Sequence, residues 1–181
     1  MRYEKLGSAA AILVASGTAL MAAYTDPAVL TIEGQSQVAA GLYPVDRLRS
    51  DFENLEIETR TPWTRDGEQI KYRGPRILDV LRKHNLETKT SVQFVAYDNF
   101  ISEIMISEVK TYDPIFAIDR ACQDSDRGTG RCTADQEFTP LSPEEQGPIF
   151  LVWPYDLLPT AYVPARNSIW VWFVVAVRPV Q

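Results

Sequence analysis

Histidine and cysteine are scarce in this chain of 181 residues: one histidine, His84, and two cysteines, Cys122 and Cys132. A structural zinc site draws four ligands mainly from those residue types, so the chain has too few of them for a fold organised by zinc. No Ser, His and acid set with the spacing of a known hydrolase motif surrounds His84. No glycine-rich loop is built to cradle phosphate. A basic stripe is missing too: the 18 lysines and arginines are scattered among 24 acidic residues, for a net charge of −6. That leaves no electrostatic footprint for nucleic acid. Repeats, low-complexity tracts and Gly/Ser linkers are absent as well, which predicts one domain after the leader.

What is present begins with that leader. Arg2 and Lys5 precede an uncharged run from Leu6 to Thr25, rich in Ala, Ser and Gly, and the next acidic residue is Asp26. The order reads as a secretory signal over residues 1–23. Gly17-Thr18-Ala19 satisfies the small-x-small rule, whereas cleavage after Ala23 leaves Met21 at the third position back. The run has the length of an anchor but few strongly apolar residues, so a cleaved signal and an uncleaved anchor both stay open. Either delivers residues 28–181 outside the cytoplasm. In that setting Cys122 and Cys132 are expected to form a disulfide. They enclose nine residues whose glycines and acidic side chains favour turns over a helix or strand. Closing so short a loop contributes about 2–3 kcal/mol. A redox pair would favour two intervening residues. The polar stretch from Gln123 to Gln146 reads as an inserted loop, bounded broadly by residues 119–147.

Strands and short helices interleave elsewhere. Ala28 to Glu33 is too short an apolar run for a helix, and Leu55 to Thr59 alternates, with Leu55 and Ile57 opposite Glu56 and Glu58. A turn at Arg65-Asp66-Gly67-Glu68 leads to a strand at Gln69 to Tyr72. After Gly74-Pro75, residues Ile77, Leu78, Val80 and Leu81 mark one face of a helix reaching Asn85, with His84 at its end. Val92 to Tyr97 and Ile101 to Ile106 predict a hairpin turning at Asp98-Asn99. Ile149 to Trp153 and Ile169 to Val177 predict two late strands, with Trp170 and Trp172 on one face by period two and serving the core. The fold class is mixed α+β.

Five segments in order carry a resemblance: "IETRTPW" from Ile57, "YRGPRILDVLRKHNL" from Tyr72, "VQFVAYDNFISEIMISEV" from Val92, "GPIFLVWPYD" from Gly147 and "RNSIWVWFVVAVRPV" from Arg166. Together they resemble the molybdopterin-binding fold of the sulfite oxidase superfamily in a short bacterial form, over roughly residues 53–180. The resemblance implies a mixed sheet with few short helices. It also implies a strand end that supplies a cysteine thiolate to molybdenum, and that position falls near Thr59 or Arg60. Neither residue is a cysteine, and a threonine hydroxyl does not replace a thiolate ligand.

The resemblance without its metal ligand implies a pocket for a flat bicyclic pterin, which asks for aromatic faces and a carboxylate. Trp63 is a candidate stacking platform, or else a core staple. Tyr97, Asp98 and Asn99 lie at the hairpin, where a carboxylate can take two parallel hydrogen bonds from a guanidine-like edge or serve only the turn. Family position puts Tyr155, Asp156, Arg166 and Ser168 at the rim, where solvated loop residues or a structural Arg–Asp pair explain them equally. The implied function is a non-catalytic periplasmic protein of Gram-negative type. It binds a reduced pterin and reports it to the periplasmic domain of an inner-membrane diguanylate cyclase or phosphodiesterase, so controlling cyclic di-GMP. The disulfide loop is the expected contact surface. The alternatives are a molybdenum cofactor-dependent oxidoreductase of the same superfamily, and a subunit whose fold serves only protein contacts.

Overall fold

The computed structural model describes residues 24–34 and 39–180. The expected leader, residues 1–23, and the last residue of the expected domain lie outside the described residues. No helix among the described residues is long and apolar enough to cross a membrane.

The architecture is mixed α+β, with several sheets and few helices. The N-terminal part forms β1 (Val29–Glu33), β2 (Ala39–Pro44), α1 (Val45–Asp51), β3 (Asn54–Thr59), β4 (Ile70–Pro75) and α2 (Ile77–Lys83). The middle adds β5 (Ser91–Ala96), β6 (Ile101–Met105), α3 (Ile106–Tyr112), β7 (Ile115–Ala117), β8 (Asp119–Ala121) and α4 (Asp124–Thr129). The chain closes with β9 (Phe138–Pro140), β10 (Phe150–Val152) and β11 (Val174–Pro179). A five-stranded sheet runs β2-β1-β11-β5-β6, a four-stranded sheet β3-β4-β8-β9, and β10 pairs β7. Among the described residues only β1 and β11 pair in parallel, which puts the two ends of the described chain side by side in one sheet.

Periodicity explains most of this. In β3, Glu56 and Glu58 are exposed while Leu55 and Ile57 pack on the core, as alternation requires of a half-buried strand. In α2, Ile77, Leu78, Val80 and Leu81 are buried, and the helix stops two residues short of Asn85, whose φ of 57° breaks it. Gly74 is obligatory: a Cβ there would sit 1.9 Å from the Phe116 carbonyl oxygen, so only glycine lets β4 approach β7. Asp119, almost fully buried, takes hydrogen bonds from Arg49 of α1 and Arg73 of β4, each at 2.8 Å, and so ties a helix and two strands to one carboxylate.

Four expectations change. Ile169 to Val177 is not one strand: Asn167–Ile169 is a 3-10 turn, and β11 begins only at Val174. A positive φ of 49° at Phe173 turns the backbone between them, so Trp170 and Trp172 share no strand face. Trp153 lies just beyond β10, with its indole N–H on the Ile169 carbonyl at 2.9 Å. Ile106 leaves the hairpin strand to open α3, whose first turn is fixed by the Glu108 carboxylate accepting the Met105 N–H at 3.2 Å. Finally, the segment between the cysteines is helical, not a string of turns. The disulfide joins Cys122 and Cys132 around α4, which ends at Gly130 with φ 77°. The rest of the supposed inserted loop supplies β9 and buries Phe138 and Leu141.

Candidate functional site

The aromatic residues converge at one end of the molecule because three irregular segments meet there. The first is the turn after β3. Its Thr64 hydroxyl accepts the Thr61 N–H at 2.8 Å and its Thr64 N–H bonds the Thr61 carbonyl at 3.1 Å. Pro62, already fixed in φ, suits the second position of such a turn. Trp63 projects from it, 42% exposed. The second is the β5–β6 hairpin, a loop from Tyr97 to Phe100 closed by the Ala96 N–H on the Phe100 carbonyl at 2.8 Å. Asn99 takes the left-handed position at φ 68°, which asparagine tolerates. The third is the Trp170 to Phe173 stretch.

Together they border a solvent-open hollow of about 380 Å³. Trp63, Trp170 and Trp172 form its walls with Phe173 and Ala96, and Tyr97, Asp98 and Phe100 of the hairpin form its rim. The Trp63 and Trp172 rings meet edge to face with centroids 4.7 Å apart, a pairing that contributes about 0.5–1.5 kcal/mol beyond burial. The indole N–H groups of Trp170 and Trp172 are buried without a partner among the described residues. Asp98 accepts the Phe100 N–H at 3.0 Å through one carboxylate oxygen. It therefore serves the turn as an Asx residue and keeps its second oxygen for other donors.

The remaining expected residues lie elsewhere. Tyr155 and Asp156 border a separate hollow of about 230 Å³ with Arg60. The Arg60 guanidinium stacks on the Tyr155 ring at 4.2 Å and bonds Asp156 at 3.0 Å. Arg166 is held by Glu108, with Tyr162 donating to the same carboxylate at 2.7 Å. Burial pushes Glu108 up, but the bonds from Arg166 and Tyr162 outweigh it and hold the carboxyl below its usual range. Ser168 is exposed on the 3-10 turn and Asn99 on the hairpin. Trp63, Tyr97 and Asp98 therefore come together, while Asn99, Tyr155, Asp156, Arg166 and Ser168 line no part of the aromatic cavity.

Thr59, at the end of β3, is 2% exposed. Its hydroxyl donates to the Arg60 carbonyl at 3.1 Å and accepts the Tyr155 N–H at 2.9 Å. Among the described residues no cluster of three or more His, Cys, Asp or Glu is placed to hold a metal ion.

The sequence reading missed Phe100 and Phe173 as lining residues and assigned Trp170 and Trp172 to packing alone. Five aromatic residues, Tyr97, Phe100, Trp170, Trp172 and Phe173, fall in the hairpin and just before the last strand, and that density is the signal that points to them. A third hollow, about 290 Å³ in volume, is lined by Trp63 and Tyr72 together with polar residues that include Glu68, Arg120 and Glu145. No protein-family model and no curated protein matches the chain.

Proposed function

We propose that this chain is an exported, non-catalytic pterin-binding protein with a sulfite oxidase-type fold. In this reading it reports a reduced pterin to the periplasmic domain of an inner-membrane diguanylate cyclase or phosphodiesterase. The observation that supports it most is the aromatic cavity: three tryptophans, with Tyr97, Phe100 and Phe173, around a volume of about 380 Å³, and a carboxylate at its rim. Such a slot suits a flat bicyclic ring, which gains from face and edge contacts with aromatic walls. The free oxygen of Asp98 suits the donor edge of that ring. Reporting requires the partner to bind the loaded form more tightly than the empty one, and a tenfold difference corresponds to about 1.4 kcal/mol.

A molybdenum centre fits these residues poorly. The Thr59 hydroxyl, where the resemblance puts the thiolate, is committed to two backbone groups and has none of a thiolate's softness toward the metal. The test is quenching of tryptophan fluorescence by reduced pterin on ligand-stripped protein. Wild type is expected to titrate to one equivalent, and Trp63→Ala to lose at least tenfold in affinity. Equal affinities in the two proteins contradict the assignment of the slot.

A further inference from the structure

Among the described residues that border the aromatic hollow, Asp98 is the one charged side chain, and no lysine or arginine stands beside it. The basic residues nearest along the chain are committed or lie elsewhere. Arg60 bonds Asp156, Arg166 is held by Glu108, and Arg65 borders the third hollow. Asp98 enters none of the ion pairs among the described residues. One of its oxygens accepts the Phe100 N–H at 3.0 Å, so the carboxylate stands at the rim with an oxygen to spare and no counter-ion.

The walls add to that bias. An aromatic face carries negative potential and attracts a cation that comes within about 6 Å of the ring centre, tryptophan most strongly. The planes of Trp63 and Trp172 stand 75° apart, so a group lodged in the angle between them meets a face of each. The indole N–H groups of Trp170 and Trp172 are buried from solvent and offer no donor to a guest that enters from outside. An anion therefore finds no counter-ion here, whereas a ring that carries positive charge gains from the aromatic faces and the carboxylate together.

We propose that the aromatic hollow selects for positive charge: it binds flat organic cations, with Asp98 as their counter-ion and the tryptophan faces as walls. A pterin shares in this preference through the guanidine-like edge already matched to Asp98. The inference rests on the reading of the hollow as a ring-binding slot, and not on the ring being a pterin. Three bicyclic probes of one shape and different charge test it by calorimetry on ligand-stripped protein in mildly alkaline buffer: N-methylquinolinium, neutral quinoline, and quinoline carboxylate. The cation is expected to bind at least tenfold tighter than quinoline, and the carboxylate more weakly than either. Asp98→Asn keeps an oxygen to accept the Phe100 N–H, so the turn survives, and it is expected to remove most of the cation's advantage. Equal affinities for the cation and quinoline, or an advantage that Asp98→Asn leaves whole, overturn this inference alone. Binding of none of the three overturns it together with the ring-binding slot. The expected order in a protein whose fluorescence reduced pterin does not quench supports this inference and overturns the pterin reading instead.

Discussion

Single side chains here are recognisable by what already occupies them. Thr59 and Arg166 look available in the sequence, yet each is spent on a neighbour, Thr59 on two backbone groups and Arg166 on Glu108. Trp63 and Asp98 keep an exposed ring edge and a free oxygen, which is what a binding residue needs. No pattern in the sequence separates these cases, because the partners lie far along the chain: Glu108 is 58 positions from Arg166. His84 shows the same logic in its titration. Its Nε2 lies 2.8 Å from the Tyr43 hydroxyl, and burial, followed by the charge of Lys83, lowers its pKa below the ordinary 6.5. The unfolded chain therefore binds this proton more readily than the folded one. Stability is complete above about pH 6.5 and declines as the pH falls below it. The carboxylates of Asp126, Glu145 and Glu108, all held below their ordinary values of 3.8 to 4.5, add their own loss only in more acid solution. Urea unfolding from pH 7.5 to 5.5 should show a falling midpoint that His84→Gln flattens. A slope unchanged by that substitution refutes this account of His84.

Elements with a clean period were legible from sequence, and those set by a single long-range contact were not. The alternation in β3 and the apolar face of α2 read directly from spacing, and the pairing of Cys122 with Cys132 from their closeness in a polar stretch. α3 was hidden because its N-terminal residue, Ile106, continues the apolar alternation of β6, and only the Glu108 bond to Met105 marks the change of period. The break before β11 was hidden for a similar reason. Val171 to Val177 is apolar throughout and, Ala176 apart, β-branched or aromatic, and nothing local announces the positive φ at Phe173. α4 escaped because its glycine-containing segment has poor helix propensity. It is held instead from outside, by the Arg120 bonds to Asp126 and by the bridge between Cys122 and Cys132. The bridge closes a short loop, so Cys122→Ser with Cys132→Ser should cost about 2–3 kcal/mol in urea unfolding. Ligand affinity in the aromatic slot should be unaltered, since neither cysteine borders it. A loss of affinity in a variant that still folds would tie the bridge to the slot.

At the scale of the molecule, the site exists because two sheets and a broken strand bring distant segments to one end. Trp63 leaves β3 in one sheet, Tyr97 and Asp98 close a hairpin of the other, and Trp172 arrives from the kinked approach to β11. The sequence supplied the aromatic residues, but only the fold decides that Trp63 and Trp172 touch while Tyr155, Asp156 and Arg166 stand apart. Net charge was legible at this scale because it needs no contacts. The account's central claim is that this slot carries a simple pterin and no molybdenum centre. The most direct test is to purify the protein from the cells that make it, denature it, identify the released small molecule by mass spectrometry and count metals in parallel. A stoichiometric simple pterin without molybdenum is the predicted result. Molybdopterin accompanied by molybdenum, or no pterin at all, would contradict it.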